Sequence, residues 1–354
     1  MKPFSPPLRR PIVTHESILR ELRGRIVTGL LGPGDRLPTR RELQREFGTT
    51  RVTVQRAMQR LTKEAFVVPR GKLGTFVSPN PPHLGTYALI FPQGPSRGLG
   101  EWPRFWEAME NEARRFEDGG RFEIYHSIDR HADSPDFHRL VRDMESQRLT
   151  GLAFAWPPGD LLGTSLLKLP GIPRVAILMR QWRDIAAVRL SGAFLDKALD
   201  YLLSYGRRHV AFIHLSPAPE DTLPRIRRAV ARRGMICPPY WLQGVAQMTS
   251  QCAREVAHLL MNPDQRRRPD GLVIMDDNLV EPATAGLVDA GVRVPRDLQV
   301  VAHCNFPWPT PSSLPVKRLG PDARHVLAAC VRSIQLQRAG RRAATQNVPV
   351  LFDP

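Results

Sequence analysis

The feature that most limits the fold is an alternation that runs through roughly the last 270 residues of this 354-residue chain. Residues 86–91 (TYALIF), 122–127 (FEIYHS), 151–156 (GLAFAW), 174–178 (RVAIL), 209–214 (HVAFIH), 271–275 (GLVIM) and 298–303 (LQVVAH) read as short apolar strands. Between them, residues 102–116, 136–149, 194–206 and 279–291 carry apolar side chains at helical spacing, and Gly119-Gly120 closes the first of these helices. Strands that are apolar along their whole length are buried on both faces. Crossover helices make such neighbours parallel and cover the two sides of the sheet. About nine strands in this region are many for one sheet, so an α/β body of two lobes with a cleft is expected.

Ahead of this alternation the pattern changes. SPNPPH at residues 78–83 is a Pro-rich junction. It suggests an N-terminal domain of residues 1–78, a linker at 79–84 and a body of residues 85–354. From Glu16, the residues Ile18, Leu19, Leu22, Ile26, Val27 and Leu30 recur at helical spacing, and LLGPGDRLP breaks that helix. In TRRE, Thr39 can cap a second helix while Glu42 reaches back to the Thr39 backbone. Gly48 supplies a left-handed stop, and Thr49 or Thr50 caps a third helix that runs to about Ala65.

At 100° per residue, Val54, Ala57, Met58, Leu61 and Ala65 form one narrow apolar stripe. Val52, Gln55, Arg56, Gln59 and Lys63 point the other way, with Arg51 at the N-terminal flank. A solvated face usually mixes glutamate with lysine, yet this one carries no carboxylate before Glu64. FVV, the turn PRGKLG and TFV then read as two strands around a basic tip, a wing.

Charge follows the same division. Fifty-one Lys and Arg against 34 Asp and Glu give a net +17. Of this, +9 falls between residues 9 and 80, where 15 basic residues meet six acidic ones. With only six lysines in the chain, an arginine-rich composition accounts for part of the total. Its concentration on a helix-turn-helix pattern is the footprint of nucleic-acid binding.

The segment from ILRELRGRIV to GTFV resembles the winged helix-turn-helix domain of GntR-family transcription regulators. Its hallmarks are Gly29, Pro33-Gly34-Asp35, Leu37-Pro38, Arg41-Glu42-Leu43, Thr50-Arg51-Val52-Thr53-Val54 and Gly74-Thr75-Phe76-Val77. The resemblance implies that Arg41, Thr50, Arg51, Thr53 and the wing tip Arg70, Gly71 and Lys72 touch double-stranded DNA. A helix N-terminus suits phosphate, and an arginine at the groove entrance can take guanine bidentately. Gln55 stands where many members have arginine, and Arg56 where glutamate is usual, so the operator is expected to differ from those of arginine-bearing relatives.

The body resembles the periplasmic-binding-protein-like effector domain of LacI/GalR regulators. ALDYLLSYGRRHVAFI, RPDGLVIMDDNLVEPATAGLVDAGVRVP and DLQVVAHCNF carry the likeness. A GntR-type head on such a body matches arabinose-repressor-like hybrids. This implies a small-molecule effector between the lobes, of carbohydrate type in the parent family. Several sugar-holding positions are altered, however. Ala302-His303-Cys304-Asn305 replaces a strand that usually ends in an acid. Thr222-Leu223-Pro224-Arg225-Ile226 stands for Arg-x-x-Gly-Phe, and Arg189-Leu190-Ser191 for a site that usually holds an Asp-Asn pair. Asp276-Asp277 persists. Candidate effector residues are thus Trp102, Phe105, Trp156, Ser191, Thr222, Asp276, Asp277 and Asn305. The aromatic ones, with Trp106, read equally as core. The cleft is expected either to take something other than a plain hexose or to have lost ligand binding and to serve dimerisation alone.

Other classes fit poorly. Cys237, Cys252, Cys304 and Cys330 are scattered, and the histidines show neither HExxH nor facial-triad spacing, so neither metal nor disulfide framework is expected. His209 and His214, flanking a strand, read as structural. Lys168, Lys197 and Lys317 lack a Schiff-base setting, and no GxSxG or Walker loop occurs, so no catalysis or cofactor is expected. MKPFSPPLRRPIV has no apolar h-region and no stretch approaches 18 apolar residues. The sequence therefore predicts a cytoplasmic homodimeric repressor, with no membrane partner, that meets an inverted repeat.

Overall fold

The computed structural model describes residues 13–95, 102–131, 133–178, 185–246 and 249–353. They group into two compact units, one formed by the chain up to Thr86 together with Val141–Thr150, the other by Tyr87–Leu140 and Gly151–Pro354. Residues 141–150 thus join the first unit, where the Thr150 amide donates to the Thr86 carbonyl at 2.7 Å.

In the first unit α1 (His15–Val27) starts at Thr14, whose hydroxyl accepts from the Ser17 amide at 3.2 Å. The helices α2 (Arg40–Phe47) and α3 (Arg51–Lys63) follow, then an antiparallel hairpin of β1 (Val67–Pro69) and β2 (Thr75–Val77). Ile18, Leu19, Leu22, Leu43, Val54, Leu61, Phe66 and Val77 are buried together as one core. Two sequence expectations fail at helix ends. Leu30 lies beyond α1 and is 78% exposed, because Gly29 turns the chain at φ +82. Ala65 leaves the apolar stripe: α3 stops at Lys63, Ala65 takes φ +60, and the Phe66 amide closes back on the Leu61 carbonyl at 3.0 Å. Burial of Phe66 holds this turn against the ~1–2 kcal/mol that a left-handed non-glycine residue costs. A one-turn helix, α4 (Pro82–Gly85), follows the junction.

The second unit holds two six-stranded sheets. The first takes β3 (Thr86–Ile90), β4 (Arg121–Tyr125), β5 (Gly151–Phe154), β6 (Arg174–Leu178) and β7 (Ala186–Leu190). The chain then crosses to β8 (Val210–Ser216), β9 (Leu242–Ala246), β10 (Gly271–Ile274), β11 (Gln299–His303) and β12 (Lys317–Pro321) of the second sheet. It returns for β13 (Gln346–Val348) and crosses again to β14 (Val350–Phe352). The orders are β13-β7-β6-β5-β3-β4 and β14-β12-β11-β10-β8-β9.

Helices cover the faces. They are α5 (Arg104–Ala113), α6 (Pro135–Glu145), the single turn α7 (Ser165–Lys168), α8 (Phe194–Ser204), α9 (Thr222–Arg232), α10 (Cys252–Met261), α11 (Val280–Asp289) and α12 (Ala323–Arg338). The pairings along β13-β7-β6-β5-β3 and along β12-β11-β10-β8-β9 are parallel, as the alternation predicts, and β14 pairs antiparallel with β12. The described body has twelve strands rather than about nine. The sequence hid short edge elements such as β13 and β14, and β12, whose KRLGP carries two charges and a proline. Three crossovers, after Leu190, Pro321 and Val348, join the lobes and set the position of the cavity described below.

Candidate functional site

The helix pair is built from local signals. The Glu42 amide donates to the Thr39 hydroxyl at 3.3 Å and the Thr39 amide to the Glu42 carboxylate at 2.6 Å. Gly48 then ends α2 at φ +58. Thr50 caps α3 by accepting from the Thr53 amide at 3.3 Å, and the two hydroxyls lie 2.9 Å apart. Both threonines therefore fix the helix start, and each hydroxyl keeps capacity for one further partner. No acid stands in the first turn of α3, so its positive dipole end is uncompensated.

Arg41 on α2 and, from the first residue of α3 to its last, Arg51, Arg56, Gln59 and Lys63 are exposed, while Thr53 and Gln55 are half-buried. In the wing, Arg70, Gly71 and Lys72 are exposed. The Arg70 guanidinium stacks over the Phe76 ring at 4.9 Å, a cation–π contact that holds the hairpin as well as presenting charge. Arg36 pairs with Phe76 as a further edge of this small sheet.

All six carboxylates of this unit's helix-turn-helix and wing are engaged within it. Glu64 takes Arg23 and Arg60; Glu16 takes Arg60; Glu21 and Glu46 take Arg25. Asp35 accepts the Gly32 amide at 2.7 Å, and Glu42 is held in its cap, which lowers its titration from the ordinary carboxylate range. Arg41, Arg51, Arg56, Lys63 and Lys72 have no carboxylate partner among the described residues. These five cations are therefore exposed charge that no described carboxylate offsets.

In the body, a cavity of about 320 Å³ opens where the crossovers meet the carboxyl ends of the second sheet. Leu190, Ser191 and Gly192 come from the first crossover, Pro321 from the second and Val350 from the third. His214, Met275, Asp276 and His303 stand at strand ends, and Thr222, Arg225 and Ile226 on α9. The wall is mostly apolar. Three of the eight predicted effector residues meet here: Ser191, Thr222 and Asp276. Asp276 accepts from both the Asn278 amide (3.0 Å) and its side chain (2.7 Å), which caps the following turn.

The other five lie elsewhere. Asp277 and Asn305 are each 2% exposed and face one another, the Asn305 amide donating to Asp277 at 2.6 Å. Burial pushes the Asp277 carboxyl above its ordinary range, against the pull of His303 at 3.9 Å. Trp102 packs on Phe91 and Trp106, each with ring centroids 5.3 Å apart, and lines a separate recess of about 290 Å³ with Arg104, Ser250 and Glu281. Phe105 packs against the core of the first lobe, and Trp156 stands edge-on to Phe154 at 5.9 Å. Sequence reasoning did not place Arg225, His214 and His303 at the cavity. For Arg225 a signal was present: it sits three residues after Thr222 on one helix, hence on the same face.

Comparison with known proteins agrees with both halves of this description. The family described as bacterial regulatory proteins, gntR family, matches residues 14–77. The periplasmic binding protein-like domain matches residues 199–350. The histidine utilization repressor of Klebsiella aerogenes is 35% identical over 72 residues, 20% of this chain and 30% of that protein. A helix-turn-helix transcriptional regulator of Mycobacterium tuberculosis is 37% identical over 75 residues, 20% of this chain and 62% of that protein. The chain thus spans less than two thirds of the length of these curated relatives.

Among solved structures, a LacI-family regulator of Chloroflexus aggregans aligns over 75% of this chain and 96% of its own, with a TM-score of 0.58 and 17% identity. A LacI regulator of Lactobacillus casei with bound Tris aligns over 76% and 95%, with a TM-score of 0.54 and 18% identity. Residues 14–77 are accordingly a GntR-type helix-turn-helix domain, joined to a body that contains a periplasmic-binding-protein-like domain at residues 199–350 and has the fold of LacI-family regulators.

Proposed function

We propose that this protein is a sequence-specific DNA-binding transcription regulator, a repressor, whose hold on its operator is set by a small molecule in the body. The observation that carries the reading is the division of charge in the head. Every carboxylate there serves the fold, while Arg41, Arg51, Arg56, Lys63 and Lys72 have no carboxylate partner among the described residues and the first turn of α3 holds no acid. Arg51 reads a base edge; Thr50, Thr53 and Lys72 hold phosphate; Gln55 favours adenine. The repressor names of relatives such as the histidine utilization repressor support repression as the sign of control.

The active form is a cytoplasmic homodimer that meets an inverted repeat, and it catalyses no reaction. No helix among the described residues is long and apolar enough to cross a membrane. Effector binding at the crossovers alters how the lobes close, and a coupling of ~1–3 kcal/mol is enough to change operator occupancy.

Genome-wide footprinting of the purified protein tests this, followed by gel shifts on the fragments recovered. A small set of fragments sharing an inverted repeat is the expected result. Uniform, salt-sensitive binding to every fragment overturns the reading.

A further inference from the structure

We propose that the cavity at the crossovers takes a small carboxylate with an apolar body, and that Arg225 is its anion anchor. This rests on the reading of the body as an effector-binding domain, and it names the chemical class of the effector.

The polar side chains at the cavity are few (Ser191, His214, Thr222, Arg225, Asp276 and His303), and three of them are partly engaged. The Nδ1 of His214 lies 2.9 Å from the Leu215 carbonyl, an acceptor, so this nitrogen carries the proton and only Nε2 is left for a ligand. Ser191 accepts the Ala193 amide at 3.2 Å. Asp276 caps a turn through Oδ1, which receives both of its bonds from Asn278. His303 packs on the Phe194 ring at 5.4 Å, and its buried Nδ1 makes no hydrogen bond among the described residues.

Arg225 differs from these. Its nearest partner is the Gly192 carbonyl, at the outer limit of a hydrogen bond (3.5 Å). At the far end of this helix Arg232 and Arg233 are held by Asp196 and Asp200 of α8, whereas Arg225 has no carboxylate partner among the described residues. A guanidinium fork with its donors free, at the mouth of a cavity, is matched to a planar two-oxygen anion.

The walls decide the rest of the ligand. Leu190, Phe194, Leu215, Ile226, Met275 and Val350 offer no hydrogen bonds to a ring of hydroxyls. A hexose carries more hydroxyls than the polar groups here can pair, and each one left unpaired costs affinity. An apolar ring or branched chain gains by burial against the same walls. At about 320 Å³ the cavity suits a compact molecule. The position that carries arginine in the resembling family holds Thr222, and Arg225 presents the charge one helical turn later. Because Arg225 also touches Gly192, a carboxylate that draws the guanidinium inward releases a contact on the first crossover.

Calorimetry on the full-length protein tests the assignment with benzoate, phenylacetate and 3-phenylpropionate, each against its own amide, with glucose and inorganic phosphate alongside. We expect at least one acid to bind tenfold or more tighter than its amide. Arg225→Ala should bring that ratio close to one while leaving the amide's affinity nearly unchanged, and Arg225→Lys should restore part of it. Arg225 is exposed, so its removal opens no core, and thermal unfolding verifies that each variant folds.

An acid-to-amide ratio near one in the parent protein overturns the inference. So does a ratio unmoved by Arg225→Ala, binding of glucose or phosphate in preference to every acid, or no acid binding at all. Operator binding is read separately. Selective DNA binding without acid binding defeats this inference and spares the proposed function. Acid binding without selective DNA binding does the reverse.

Discussion

In the helix-turn-helix and wing, six acidic side chains are all engaged locally, and the cations that remain form an exposed field. In the body, arginine and carboxylate pair with each other, as in Arg233 with Asp200, Arg254 with Asp289 and Arg293 with Asp297. The body's concave site is instead walled mostly by apolar side chains, with a few polar groups and the Arg225 guanidinium, which has no carboxylate partner among the described residues. The difference separates two kinds of recognition. A field of free cations grips a polyanion through counterion release and must weaken as salt rises. A small, mostly apolar cavity selects by what it fails to solvate, and its salt response is limited to the single charge of Arg225.

The largest expected effect separates the two regions outright. Gly320 lies in β12, and a Cβ there would sit 1.7 Å from the Cys304 carbonyl oxygen, a backbone atom that cannot rotate away. Gly320→Ala should destabilise the body by about 3 kcal/mol or more, since overpacking against a paired strand has no soft neighbour to move. Thermal unfolding would show this as a lowered body transition, with loss of ligand heat. Non-specific DNA binding by the head should survive, and its disappearance would break the separation drawn here.

Within the head the comparison can be sharpened by two cations with different tasks. Arg51→Ala should lower affinity for a footprinted operator by about 10- to 100-fold, the worth of one bidentate base contact, and lower affinity for random duplex far less. Fluorescence anisotropy on both duplexes reads the ratio, and equal losses would remove Arg51 from base reading. Lys72→Ala on the wing should weaken both duplexes a few-fold and flatten the dependence of log affinity on log salt by about one. An unchanged slope would mean that the wing tip meets no phosphate.

How much of this could be read from the amino acids differs between the regions for the same physical reason. Thr39, Glu42, Gly48 and Thr50 act on neighbours three or four residues away, so their spacing states the geometry, and the helix pair follows from the sequence nearly to the residue. The errors there, at Leu30 and Ala65, are helix ends decided by where Gly29 and Phe66 send the chain. The body's long apolar strands were legible too. Its short edge strands were not, because three residues carry no periodicity.

The cavity was legible only in part. Ser191, Thr222 and Asp276 stand out in the sequence and Thr222 marks the helix face of Arg225, whereas Leu190, His214, His303, Pro321 and Val350 arrive by crossovers and strand ends that nothing local marks. Asp277 and Asn305 carry the residue types of a ligand site, yet they face each other in the interior. Residue type pointed to polar function. Which way each side chain turned depended on packing that the sequence does not display.

That buried pair supplies the smallest effect, and one of opposite sign to the head. Glu42 titrates below its ordinary value, chiefly through the Thr39 backbone amide and then its hydroxyl. Its contribution to stability is present above the unfolded carboxylate range and is lost as pH falls through the lowered value. Asp277 titrates above 3.8, first because burial disfavours its charge, with Asp276 adding to the shift and His303 and Asn305 opposing it. Between its unfolded and folded values the folded chain holds a proton that the unfolded chain has released. Its contribution is therefore complete at low pH and declines as pH rises through that window.

Asp277→Asn keeps an oxygen for the Asn305 amide and removes the charge. It should raise the melting temperature of the body at neutral pH and flatten its decline with rising pH, while operator affinity stays unchanged. Thermal unfolding of the two proteins across about pH 4 to 7 reads the difference. If the variant instead melts lower at every pH, the carboxylate's charge is what the Asn305 amide and the His303 ring require, and the wall behind the cavity is held by an ion rather than by a neutral acid.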